Sequence, residues 1–249
     1  MGCNQGIKQS IKRRSILKIK IKIKIKIQIK INMSFSLNLK TKNAEITQTG
    51  KYSYKLSIQG GDKTILIYSS ILKTDILTNS FYNSSDKSLY FTAENVHFLK
   101  KNDLFLSEAK CIRMIDTLTR QIKYLEKVRY AFYGHSMDDI LVVNDEIFIN
   151  INPNTLLPIK EKQISFLSPF IKTQFMNAEI GNITTLPSKI HYQSSYYSLA
   201  ALVIYCLLNK DLQTKVETED LERILKPIFY TKIYWFLKRC LHKRILLLI

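Results

Sequence analysis

The sequence predicts an α+β protein in two parts, β-rich first and helical after. Three observations carry this. Residues 51–98 are short β-favouring runs broken by turn residues. From Ser107 the apolar residues recur every three or four positions instead. Tyr196 to Leu208, reading YYSLAALVIYCLL, is apolar nearly all round, as a helix at the centre of a core must be.

The elements follow in order. KYSYKLSIQ alternates from Lys51, Gly60-Gly61-Asp62 makes a turn, and KTILIYSSI is expected as a second strand. The polar stretch TNSFYNSSDKS reads as a surface loop, and SLYFTAENVHFL as a strand leading into a connection. Ser107 can cap a helix to about Lys127, with Ile112, Ile115, Leu118, Ile122 and Leu125 as its apolar face. Ile140 to Val143 and Ile147 to Ile151 form a hairpin around Asn144-Asp145-Glu146. A long loop then leads to the buried helix from Tyr196. A polar linker follows from Asp211 to Thr218. Leu221 to Leu225 is helical, Pro227 interrupts, and Lys232 to Leu241 is amphipathic. The terminal ILLLI is expected to pack against the body.

Charge divides the chain differently. Of the net +18, ten positive charges lie in residues 1–32, which hold no acid. Lys18 to Asn32 alternates Ile with Lys, the pattern that a tandem ATA-AAA repeat would encode. Residues 1–32 are therefore expected to be a basic low-complexity tail, with the functional domain starting at Met33. The Ile-, Lys- and Asn-rich composition suggests an AT-rich genome, such as that of a large DNA virus or a protist. The opening Gly2-Cys3 would reach a membrane only if lipidated, and Gly6 stands where that signal favours Ser or Thr. The body has no stacking motif or Arg-rich helix, so no nucleic-acid partner is expected. The 4 cysteines are scattered without zinc spacing and are expected as free buried thiols in a cytoplasmic protein.

Several strings resemble the protein kinase-like superfamily. Asp139-Ile140-Leu141-Val142-Val143, followed by Asn144-Asp145, is similar to the place where the kinase catalytic loop runs into a hairpin. Phe175-Met176-Asn177-Ala178-Glu179-Ile180 resembles the Ala-Pro-Glu region. Ser195-Tyr196-Tyr197-Ser198-Leu199-Ala200 is similar to Asp-Val-Trp-Ser-Leu-Gly, with Ser195 in place of the Asp. Arg239-Cys240-Leu241 and Arg244 resemble the late Cys-Leu helix and the Arg after it. The resemblance covers Ser107 to Ile249; over residues 44–106 it rests on strand content. It implies a two-lobed fold, with a reduced β-rich lobe at 33–106 and a helical lobe at 107–249.

It also implies a chemistry that the residues do not supply. Phosphoryl transfer needs a base, magnesium ligands and a phosphate-binding lysine. With Asp139 at the metal-binding Asn position, the base position is Gly134, and His-Arg-Asp reads Phe132-Tyr133-Gly134. The place of Asp-Phe-Gly reads Asn150-Ile151-Asn152-Pro153-Asn154, with no carboxylate. Ile65-Leu66-Ile67-Tyr68 ends in Tyr68 where the lysine should be, and Lys55 is a candidate from a different strand. Gly60-Gly61 reads as a hairpin turn, not a glycine loop. The resemblance therefore implies a pseudokinase scaffold or regulator that binds another protein. It implies no catalytic residue, metal or cofactor, and Glu179 with Arg244 as a structural pair. If Mg-ATP binds at all, the candidates are Asp138, Asp139 and Lys55. One alternative is an atypical active Ser/Thr kinase built on Asp138 or Asp139. The other is a lipid-anchored membrane-surface protein.

Overall fold

The computed structural model describes residues 37–73, 76–77, 79–100, 105–212 and 218–241. The tail with Gly2 and Cys3, and the terminal segment with Arg244, lie outside the described residues. The α+β class holds. Strands β1 (Asn38–Lys40), β2 (Ala44–Gln48), β3 (Ser53–Ile58), β4 (Phe81–Asn83) and β5 (Ser88–Thr92) form one antiparallel sheet in the order β1-β2-β3-β5-β4. Tyr54 and Leu56 of β3, with Leu89 and Phe91 of β5, are its buried face, and the alternate residues face outward.

Two sequence expectations fail here. KTILIYSSI is not a strand: helix α1 spans Asp62–Lys73, between β3 and β4. Ile65, Tyr68 and Ile71 are buried while Leu66 is exposed, a three-residue spacing that β-branched composition had masked. The expected loop TNSFYNSSDKS contains β4, a short edge strand whose Phe81 ring stacks on Tyr90 at 5.1 Å.

Strand β6 (Val96–Phe98) leaves the first sheet and pairs with β9 (Ile140–Val143), itself paired with β10 (Ile147–Asn150). Asn144 and Asp145 turn that hairpin with φ of 54° and 57°, as two-residue turns require. Helix α2 runs Glu108–Lys127, and Ser107 accepts from the Lys110 amide as foreseen. Its buried face is rotated from the expected one. Cys111, Met114, Leu118, Ile122 and Leu125 are inside, and Ile112 is exposed.

The expected loop before the central helix is largely structured. Strands β7 (Tyr130–Phe132), β11 (Leu156–Lys160), β12 (Gln163–Phe166) and β14 (Ser188–His191) make a sheet in the order β14-β12-β11-β7. It has its own small core around Tyr133, Ile164, Phe166 and Ile180. The two-residue strands β8 (Gly134–His135) and β13 (Phe175–Met176) pair beside it, followed by the one-turn helix α3 (Ala178–Gly181).

Helix α4 (Ser194–Leu208) is buried almost throughout, as its sequence predicts. Helices α5 (Thr218–Leu225) and α6 (Lys232–Leu241) follow, with a 3₁₀ turn at Lys226–Ile228 where Pro227 breaks the α pattern. Cys111, Cys206 and Cys240 are buried thiols. Among the described residues no helix is long and apolar enough to cross a membrane.

Candidate functional site

A cleft of about 510 Å³ lies where the β1–β2 turn meets the β9–β10 hairpin. The β1–β2 segment gives it Lys40, Thr41, Lys42 and Asn43; Asp138, Asp139 and Asn152 form part of its floor. The hairpin fixes that floor. Met137–Asp139 is a 3₁₀ turn leading directly into β9, and Asn152 follows β10 and caps the 3₁₀ turn Pro153–Thr155. The backbone amide of Ile151 donates to the Asp139 carbonyl at 2.9 Å, holding the two ends of the hairpin together.

Asp139 is the only charged side chain buried within the described residues, at 7% exposure. Burial raises its pKa and the negative Asp138 adds to this, while hydrogen bonds from Asn43 and Asn152 act against it. Asn43 Nδ2 donates to Oδ1 at 2.7 Å, and Asn152 Nδ2 donates to Oδ2 at 2.6 Å. Asn154 closes the ring. Its backbone amide donates to Asn152 Oδ1 at 3.0 Å, and its Nδ2 to Asn43 Oδ1 at 2.9 Å. Turning either amide over would set donor against donor, so the ring fixes both orientations.

A second polar layer lies below. Asn150 Oδ1 accepts from the Asn152 amide, so its Nδ2 donates to His135 Nδ1. Gln121 of α2 bonds both the amide and the carbonyl of Asn150, at 3.0 and 2.7 Å. His135 is thus a buried member of strand β8. It is 1% exposed, burial drives its pKa down to about 3, and its Nε2 has no partner.

Gly134 occupies the expected base position, and packing accounts for the glycine. A Cβ there would stand 3.1 Å from Thr173 Cβ and 3.2 Å from the Phe175 carbonyl, and would overlap Thr173 Oγ1. Thr173 is buried, its hydroxyl donating to Phe175 O at 3.3 Å, so it is not presented for phosphorylation. Tyr133, next to Gly134, packs its ring on Phe166 and Phe170 at 5.4 and 5.6 Å. Its hydroxyl donates to Ile171 O at 2.9 Å, and burial lifts its pKa to about 12.

The other candidates fall elsewhere. Lys55 does lie in the third strand, but on the outward face: its Nζ meets Asp86 at 3.0 Å, away from the cleft. Asp138 reaches the cleft beside Asp139. Glu179 is exposed at the start of α3, and its expected partner Arg244 lies outside the described residues. Ser195, in place of the Asp, donates to Tyr192 O at 2.9 Å, while Ser198 one turn on holds the Phe175 carbonyl.

Magnesium fits this donor set poorly as the side chains stand. Both oxygens of Asp139 accept from amides, and Asn152 turns its NH₂, not its oxygen, toward the carboxylate. Magnesium needs oxygen ligands in near-octahedral order. Among the described residues no three His, Cys, Asp or Glu side chains gather as a metal site.

No family model matches the chain, and no curated protein does. Among solved structures it is similar to the kinase PK-1 of Cydia pomonella granulovirus, at 12% identity and a TM-score of 0.48. The alignment covers 88% of this chain and 91% of that one. A likeness of that size carries no argument, so the functional reading rests on the chain's own geometry.

Proposed function

We propose that this chain is a protein kinase-like domain that does not transfer phosphate and acts by binding another protein. The order of elements supports the kinase-like part. A small antiparallel sheet comes first, then a long helix, a hairpin, a buried helix and smaller helices. The cleft lies between the sheet and the hairpin, where that architecture would hold a nucleotide.

One observation carries the loss of transfer: the base position is Gly134, and Thr173 already fills the space a side chain would need. Lys55 faces outward and the Asp139 carboxylate is bonded by two amides, which supports the same reading. Binding to a protein is supported by Phe229, Tyr230 and Trp235, which stand exposed around the start of α6, Tyr230 at 86%. Exposed aromatic clusters of this kind supply the anchors of protein interfaces. No cofactor enters this function.

The test is a phosphotransfer assay on the purified full chain with labelled ATP, magnesium or manganese, and protein substrates. The expected incorporation equals that of the Asp138→Ala, Asp139→Ala double variant. Transfer by the wild type that this variant abolishes would replace the proposal with an active kinase of unusual chemistry.

A further inference from the structure

The β1–β2 turn is built to present one side chain. Thr41 Oγ1 accepts from the amides of Asn43 and Ala44 at 3.2 and 3.1 Å, and the Asn43 carbonyl accepts from Gln59 at 2.8 Å. With its backbone pinned in this way, Asn43 is 7% exposed and spans the cleft to Asp139, 96 residues away in sequence. Its two polar atoms are both used, one on Asp139 and one on Asn154.

We infer that Asn43 is a latch: it seats the β1–β2 turn on the cleft floor and competes with divalent cations for the Asp139 carboxylate. The inference rests on reading the cleft as one without phosphoryl transfer, and adds what competes with a metal there. The chemistry is competitive. A carboxylate oxygen that accepts a hydrogen bond at 2.7 Å has one of its two lone-pair directions taken, and the amide hydrogen there competes with a cation for the same charge. A hard cation entering here competes with the amides of Asn43 and Asn152, and the ring through Asn154 resists displacement of both together. Asn43 reaches Asp139 from a turn in the first sheet, while Asn152 belongs to the hairpin end and caps its own 3₁₀ turn. Release of the turn would therefore uncover Asp139 with the hairpin unchanged.

The experiment is Mn²⁺ titration of the full chain, followed by water proton relaxation. Wild type should show no saturable binding that depends on Asp139. Asn43→Ala should bind Mn²⁺ about tenfold tighter or more, the equivalent of one hydrogen bond to a charged group. The gain should vanish in the Asn43→Ala, Asp139→Asn double variant. Asn154→Ala removes the bond that orients Asn43 without touching the carboxylate, and should give a smaller gain of the same kind. It serves if Asn43→Ala does not fold by circular dichroism. Asp139-dependent binding by wild type, or no gain in whichever variant folds, overturns the latch. Metal binding without phosphotransfer would sink the latch alone; phosphotransfer would sink the functional reading.

Discussion

Gly134→Ala adds one carbon, yet it should be among the costlier single substitutions in this protein. The backbone there is not in the left-handed region, so the objection is steric. The new Cβ meets Thr173 and the Phe175 carbonyl, neither of which can retreat: Thr173 is buried and β13 is paired to β8. Overpacking of this kind costs about 1–3 kcal/mol. At this chain length that lowers Tm by about 2–4 °C per kcal/mol. Thr173→Ala alone loses the bond to Phe175 O, about 0.5–1.5 kcal/mol. In the double variant the worst overlap, with Thr173 Oγ1, is gone. The pair should therefore be less destabilised than the sum of the singles by about 1 kcal/mol, well beyond the ~0.5 kcal/mol scatter of independent sites. Urea unfolding of the four proteins measures this directly. Additive effects, or a neutral Gly134→Ala, would refute the claim that Thr173 keeps the base position empty.

Further outcomes follow from the same geometry. His135 titrates near pH 6.5 when unfolded but only at about pH 3 when folded, so the unfolded state takes up its proton first as pH falls. Its share of stability is present above pH 6.5 or so and is lost between there and about pH 3. A His135→Gln variant should show a flatter stability–pH curve in that window, and an equally steep one would contradict the buried neutral imidazole. Gln121→Ala leaves the Asn150 amide and carbonyl buried without partners and should cost about 2–5 kcal/mol in urea unfolding. Tyr133→Phe removes one hydrogen bond and should cost about 1 kcal/mol while leaving the aromatic packing intact. Lys55→Met, on the outward face, should leave Tm and any nucleotide response unchanged; a lost response would place Lys55 at the site after all.

Much of the architecture was legible because its signals are local. Ser107 caps α2, the Asn144-Asp145 turn folds its hairpin, and the apolar run in α4 can only be buried. What was missed has physical reasons. α1 is rich in Ile and Tyr, which favour strands, and only packing reveals its three-residue period. The β11–β12 hairpin turns through Glu161 and Lys162 at φ of 50° and 61°, where no Gly or Asn marks the turn. In the site, Gly134 and Asp139 could be placed because they lie a few residues from the hairpin. Asn43 could not, since its partner is 96 residues away. Thr173 was likewise readable as a residue but not as the wall against Gly134.

The most direct measurement is thermal unfolding of the full chain with and without Mg-ATP. A ligand at 100 times its dissociation constant stabilises by about 2.7 kcal/mol, which at this size is a shift of several degrees. With Asp139 bonded to two amides and Lys55 facing away, no shift is expected at millimolar nucleotide. A clear shift that requires magnesium would contradict the account, because it would mean that magnesium displaces the amides on Asp139 or binds beside them.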